Sequence, residues 1–295
     1  MTSVQPQPQP ITGSASRVNL RKLIALTKPG VTGVLVFTAM ATALAGGGAA
    51  LPFARLMLLG VAGALAAGGA SALNHYFERE VDAQMPRTAG RPLPSGMLVP
   101  PVAALIWGLG LCLAAVALAV LTLPIGSAVF ITLGILIYVP LYTLFLKRRS
   151  VLNIVIGGSA GSCAVLAGWA AADVGWRLMP AALAATVFFW TPAHFWAFAI
   201  LHDVDYRLAG FPMLPSVVGS QRAAPYIFIH AALTVAASLL ALRGLPLGLV
   251  AIAGAVLLVV CVRLWRLPNH ARARSVYMVS NYYLITAFSA LLLVR

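Results

Sequence analysis

PVAALIWGLGLCLAAVALAVLTLPIGSAVFITLGILIYVPLYTLFL, residues 101–146, holds no Asp, Glu, Lys, Arg or His. A helix needs about 20 apolar residues to cross the hydrocarbon core of a bilayer. The stretch is long enough for two crossings, about 101–121 and 125–146, with Leu123-Pro124 between them. Working outward, seven further apolar segments lie at about 30–50, 54–76, 151–172, 178–201, 223–242, 245–264 and 276–294. No length remains for a soluble domain. Composition agrees: 61% of the residues are hydrophobic, only 9% are charged, and the mean hydropathy is +0.95. A soluble domain carries about 25% charged residues to cover its surface. Soluble enzymes, nucleic-acid binders and disordered proteins are excluded. The expected fold is an all-α polytopic membrane protein with nine transmembrane helices.

The net charge of +14 is dispersed in small groups between the apolar segments. Sixteen of the twenty Lys and Arg fall in alternate connections, counting the N-terminal segment as the first. The positive-inside rule then predicts a cytoplasmic N-terminus and a C-terminus outside. The charge serves topology and contact with an anionic lipid bilayer; no nucleic-acid partner is expected. Residues 1–16 are polar and contain QPQPQP, with no charged start leading into an apolar core. They are read as a disordered cytoplasmic tail, and residues 17–295 as a single membrane domain. Cys112, Cys163 and Cys261 all lie inside apolar segments without CxxC spacing, so neither a disulfide framework nor a zinc site is indicated.

The chain has only six acids, and five of them sit at two places: Glu78, Glu80 and Asp82, then Asp203 and Asp205. In NHYFEREVD, residues 74–82, Asn74, Glu78 and Asp82 recur every four residues. Each such step advances a helix about 40° beyond one turn, so the three share a face. Two carboxylates and an amide oxygen suit Mg²⁺, which takes one or two carboxylates and completes its shell with water and substrate phosphates. Arg87 and Arg91 follow, positioned to grip the same phosphates. The competing reading is an ordinary charged helix end at the membrane interface. Asp203 and Asp205 diverge by about 200° on a helix, so one alone faces a cavity, and Asp205 is preferred. His194 lies inside the sixth segment beside Trp190, Phe195 and Trp196; intramembrane ionisable residues are functional candidates by default. His230 is a weaker one. Tyr138 and Tyr142, one turn apart, either line a cavity or pack.

The first motif, NHYFEREVDAQMPRTAGRPLPSG, resembles that of the UbiA superfamily of intramembrane prenyltransferases. Three further stretches, LTKPGVTGVLVFTAM, LKRRSVLNIVIGGSAGSCAVLAGWAA and TPAHFWAFAILHDVDYRLAGFPMLP, resemble its haem O synthase branch. The resemblance covers nearly the whole chain. It implies nine helices around a lateral, membrane-accessible cavity. It implies transfer of farnesyl from farnesyl diphosphate to a vinyl group of haem B, giving haem O for haem-copper oxidases. By the same matching, Asn74, Glu78, Asp82 and Asp205 hold diphosphate-bound Mg²⁺. Arg87, Arg91, Lys147, Arg148 and Asn153 bind substrate, Tyr142 assists catalysis, and His194 contacts the haem, which is a substrate rather than a cofactor. A haem A synthase using the product is a possible partner, and a bacterial inner membrane the expected location. The chain departs from the usual pattern at Ala193, at Ser150-Val151-Leu152, at Cys163-Ala164-Val165 and at Val204, without losing a proposed oxygen ligand. Two other readings stay open: the same chemistry on a quinone precursor or lipid acceptor, and a membrane transporter. The second fits less well, because the acids sit at helix ends and no internal repeat is visible.

Overall fold

A computed structural model describes residues 19–98 and 100–293; the expected tail at 1–16 lies outside them. Among the described residues, nine helices are long and apolar enough to cross a membrane. They are Pro29–Ala50, Phe53–Asp82, Val102–Thr122, Ile125–Leu146, Asn153–Ala171, Leu178–Leu201, Ser220–Leu240, Gly244–Arg266 and His270–Leu293. Each corresponds to an apolar segment expected from the sequence. The chain is an all-α, multi-pass membrane protein. Helices are the natural solution here, because every backbone N–H and C=O must be satisfied within the segment once water is absent.

Consecutive spans are neighbours, and the ninth also packs on the sixth and the first. Small residues allow the close approaches, as is usual between membrane helices. The second and third spans meet at Gly69 and Gly108: a Cβ on Gly69 would lie 2.8 Å from Gly108 O, and one on Gly108 would lie 2.8 Å from the Leu73 side chain. Large apolar side chains such as Ile106, Leu113, Leu121, Ile252 and Leu240 stay exposed on the outer surface, where lipid replaces water.

Helix ends differ from the expectation where polar residues continue a helix beyond its apolar stretch. The second span runs on to Asp82, the seventh starts at Ser220 and the ninth at His270. The ninth begins with a side-chain cap, Asn269 Oδ1 accepting from the Arg272 N–H at 2.9 Å. Such a cap satisfies one of the free donors at a helix start. The fourth span changes winding midway, from α over Ile125–Leu136 to π over Ile137–Leu146, with Pro140 inside the π segment.

One end of the bundle is elaborated. The segment after the second span folds back as successive turns that bury Met85, Thr88, Leu93 and Leu98. The Thr88 hydroxyl donates to Asp82 O at 2.7 Å and ties those turns to the helix end. After the sixth span, short helices Asp203–Leu208 and Leu214–Val218 join the same end.

Candidate functional site

The polar residues of this end converge on the last turns of the second span. Asn74, His75, Glu78 and Asp82 are all buried, at 4% exposure or less, while Glu80 is exposed and pairs with Arg79. The four-residue spacing therefore places Asn74, Glu78 and Asp82 on the inner face, as expected from helix geometry.

Buried carboxylates need partners, and each has one from a different part of the chain. Lys147 Nζ, at the end of the π segment, lies 2.6 and 2.7 Å from the two Glu78 oxygens. Arg91 Nη1 lies 2.7 Å from Asp82 Oδ2, leaving the buried Asp82 Oδ1 without a hydrogen-bond partner. Lys28 Nζ donates to Asn74 Oδ1 at 2.9 Å and reaches the Tyr138 hydroxyl at 3.5 Å. Asn74 Nδ2 donates to Thr143 Oγ1 at 3.2 Å. Lys28 is pushed down to about 8, chiefly by burial and then by Arg91, with Glu78 and Asp82 pulling the other way.

The second acidic group joins from the sixth span. Asp205 Oδ2 lies 3.5 Å from Arg87 Nε and 3.7 Å from His202 Nδ1. Asp203 turns away to pair with Arg207 at 2.8 Å, so the two acids diverge as their spacing requires. Burial and the neighbouring Arg87 hold His202 below its ordinary value, against the pull of Asp205. Met85, Tyr142, Ile154, Tyr206, Phe211 and Met213 belong to one apolar cluster, which Lys147 meets at the Tyr142 and Phe211 rings. Lys147 Nζ lies 4.7 Å from the Phe211 ring centroid, and Tyr138 and Tyr142 stack at 5.7 Å.

From Asp205 an aromatic run leads into the bundle: His202 against Phe198 at 4.3 Å, Phe198 against Tyr277 at 5.3 Å, Tyr277 against His194 at 4.6 Å, and His194 against Trp190 at 4.4 Å. The Ser280 hydroxyl donates to Tyr277 O at 2.9 Å and also meets His194 Nδ1 at 2.9 Å.

Residues 34–285 match the UbiA prenyltransferase family. The chain is 41% identical over 286 residues to protoheme IX farnesyltransferase 1 of Cenarchaeum symbiosum, covering 92% of this chain and 95% of that one. It is 36% identical to protoheme IX farnesyltransferase of Rhizobium etli, covering 96% and 92%.

The chain belongs to the UbiA prenyltransferase family.

Its fold is also that of a structure described as digeranylgeranylglyceryl phosphate synthase in membranes (TM-score 0.76, 16% identity, 93% of this chain and 97% of that one). It is likewise that of a UbiA homologue from Archaeoglobus fulgidus bound to DMAPP and Mg²⁺ (TM-score 0.67, 14% identity, 92% and 99%).

The donor chemistry of this UbiA site fits a substrate-borne Mg²⁺. Among the described residues no three His, Cys, Asp or Glu converge into a protein-only cage. Glu78, Asp82 with its unsatisfied Oδ1, and Asn74 Oδ1 facing Lys28 offer a few hard oxygens on one face. That is the donor set of an ion whose remaining ligands are water and phosphate.

Of the residues singled out from the sequence, Asn74, Glu78, Asp82, Arg91, Lys147 and Tyr142 come together, and Arg87 and Asp205 form the adjoining pair. Asn153 is fully buried and its Nδ2 donates to Lys147 O at 3.4 Å, so it steadies the turn that carries Lys147. Arg148 is exposed and lines a separate open pocket of about 380 Å³ with Phe77, Thr143, Leu144 and Arg149. His194 lies along the aromatic run, away from the carboxylates. His230 Nδ1 is bonded to Tyr226 O at 2.9 Å and its ring meets Trp196 edge-on, outside this group. Sequence reasoning missed Lys28, His202 and Tyr277. The only local signal for Lys28 was a cation placed immediately before Pro29, at the mouth of a helix.

Proposed function

We propose that this UbiA-family enzyme transfers the farnesyl group of farnesyl diphosphate to a vinyl group of haem B, giving haem O. The observation that carries the reading is the row of buried oxygens on the second span, each faced by a cation from another element. Relatives named protoheme IX farnesyltransferase, similar over nearly the whole chain, support the choice of acceptor. A family fold that elsewhere carries DMAPP and Mg²⁺ supports the choice of donor.

The division of labour follows from charge and position. Asn74, Glu78 and Asp82 hold diphosphate-bound Mg²⁺, with Asp205 on the opposite side of the mouth. Mg²⁺, when bound, supplies positive charge to the oxygens of the departing diphosphate. Lys147, Arg91 and Arg87 exchange their carboxylate partners, and Lys28 its Asn74 and Tyr138 partners, for phosphate oxygens, which Arg grips in bidentate fashion. The allylic carbon–oxygen bond breaks and its electron pair leaves with the diphosphate. The stacked Tyr138 and Tyr142 faces stabilise the allylic cation. The apolar cluster excludes water, which would otherwise capture that cation as farnesol. The vinyl π electrons form the new carbon–carbon bond, and water adds to the resulting cationic carbon and loses a proton. The aromatic run from Phe198 to Trp190, His194 included, is the platform for the porphyrin.

Residues 17–295 act as one membrane domain in this reading. The acid-bearing end faces the cytoplasm of a bacterial inner membrane, where the diphosphate is supplied. The distribution of Lys and Arg supports that orientation. A haem A synthase is the expected consumer of the product.

The test is a reconstitution. Purified protein in lipid receives farnesyl diphosphate, Mg²⁺ and haem B, and the products are weighed by mass spectrometry. Farnesylated, hydrated haem, abolished by chelator and by Asp82→Asn, is the expected result. Pyrophosphate release driven by a phenolic quinone precursor, and not by haem B, would move the enzyme to the other acceptor class.

A further inference from the structure

The second half of the fourth span is wound in π form from Ile137 to Leu146. Its backbone closes over five residues, as where the Lys147 N–H donates to Tyr142 O at 2.9 Å; the Thr143 hydroxyl also donates to Tyr138 O at 2.8 Å. Closing each hydrogen bond over five residues widens the turn to about 4.4 residues and lowers the rotation per residue from about 100° to about 82°. The difference accumulates. On an α-helix, Tyr138 and Lys147 would point about 180° apart. With π winding, Lys147 returns to within about 20° of Tyr138.

The contacts follow the π register. Tyr138 meets Lys28, Tyr142 stacks on Tyr138, and Lys147 bridges Glu78. On an α-helix, Phe145 would take the Tyr138 face; here Phe145 is 54% exposed. Pro140 sits inside the segment. It has no N–H, and its ring collides with the carbonyl four residues back, so the α ladder cannot close across it. From outside, the Tyr142 ring rests on Gly157, where a Cβ would lie 2.6 Å from a ring carbon.

We propose that Pro140 is a positioning residue: by enforcing π winding it sets Tyr138, Tyr142 and Lys147 in one row facing Asn74 and Glu78, and thereby sets the affinity for the diphosphate. The inference rests on the diphosphate reading of this site. π segments recur at functional sites in helices, where the extra residue re-aims side chains.

The experiment measures binding of Mg²⁺-pyrophosphate by calorimetry, and KM and kcat for farnesyl diphosphate, on the full chain in lipid. Pro140→Ala is expected to weaken pyrophosphate binding about ten- to a hundredfold, as does Lys147→Met, the loss of one charged hydrogen bond. The double variant is expected to bind no more weakly than Lys147→Met alone, because both changes remove the same contact. A register swap isolates the claim from folding. Phe145→Lys with Lys147→Phe restores binding when combined with Pro140→Ala, and abolishes it when Pro140 is kept. Wild-type affinity in Pro140→Ala, losses that multiply in the double variant, or near-native binding by the swap with Pro140 kept would each overturn the proposal. A wild-type protein that fails to bind Mg²⁺-pyrophosphate would instead overturn the diphosphate reading itself.

Discussion

Lys28 stands in the left-handed region, φ 46°, immediately before Pro29. That conformation is strained for a side chain with a Cβ, and a following proline disfavours helical backbone besides. Strain held by the surroundings is typical of residues that must point at a ligand, and here it delivers Nζ to Asn74 and Tyr138. With a value of about 8, Lys28 is protonated below that pH and loses its charge above it. Its attraction for an anionic diphosphate is therefore present at neutral pH and fades as pH rises through about 8. The KM for farnesyl diphosphate is expected to climb across this range in wild type and to stay level in Lys28→Arg, whose guanidinium remains charged. A KM profile measured for both proteins checks it. The shared inner face of Asn74, Glu78 and Asp82 was legible from spacing alone, because the three belong to one helix. Lys28 was not, since it meets Asn74 only through tertiary packing and its charge reads equally well as a topology signal. Lys147 and Arg148 show the same limit: adjacent in sequence, they separate into the site and a neighbouring pocket.

At the scale of elements, the second span is held where it is by its crossing with the third. Gly69 and Gly108 leave no space for a Cβ at that crossing. Gly108→Val is expected to destabilise the protein by about 1–3 kcal/mol through overpacking, and to lower activity by shifting the helix that bears the oxygen ligands. Thermal unfolding in detergent, compared with the open position Gly110→Val, checks it. The nine spans were readable because crossing the bilayer is a one-dimensional requirement of length and apolarity. Their ends were not always, since hydropathy falls off at about 76 while the helix continues to Asp82. The π winding of the fourth span was invisible for a further reason. An apolar helix facing lipid on one side carries little contrast between its faces, so a change of period from 3.6 to a wider turn leaves no trace in the residue pattern.

Across the whole molecule, a bundle of small residues gathers five of its six acids at one end and carries an aromatic run into its depth. That division suits two greasy substrates with charged ends: Lys28, Arg87, Arg91 and Lys147 gather at the polar end, and the bundle beyond it offers aromatic surface. The nine-helix architecture was legible from hydropathy. The joining of the second, fourth and sixth spans into one mouth was implied only by the resemblance of their motifs, because no local pattern encodes which helix ends converge. The central claim is that these carboxylates serve farnesyl transfer to haem. It is tested most directly by expressing the chain in a bacterial host that lacks its own haem O synthase and separating the extracted haems by reverse-phase chromatography with mass detection. The expected result is a late-eluting haem heavier than haem B by a farnesyl unit plus water, absent with Asp82→Asn and with Glu78→Gln. Haem B alone, from cells in which the wild-type protein is well expressed and correctly inserted, would contradict it.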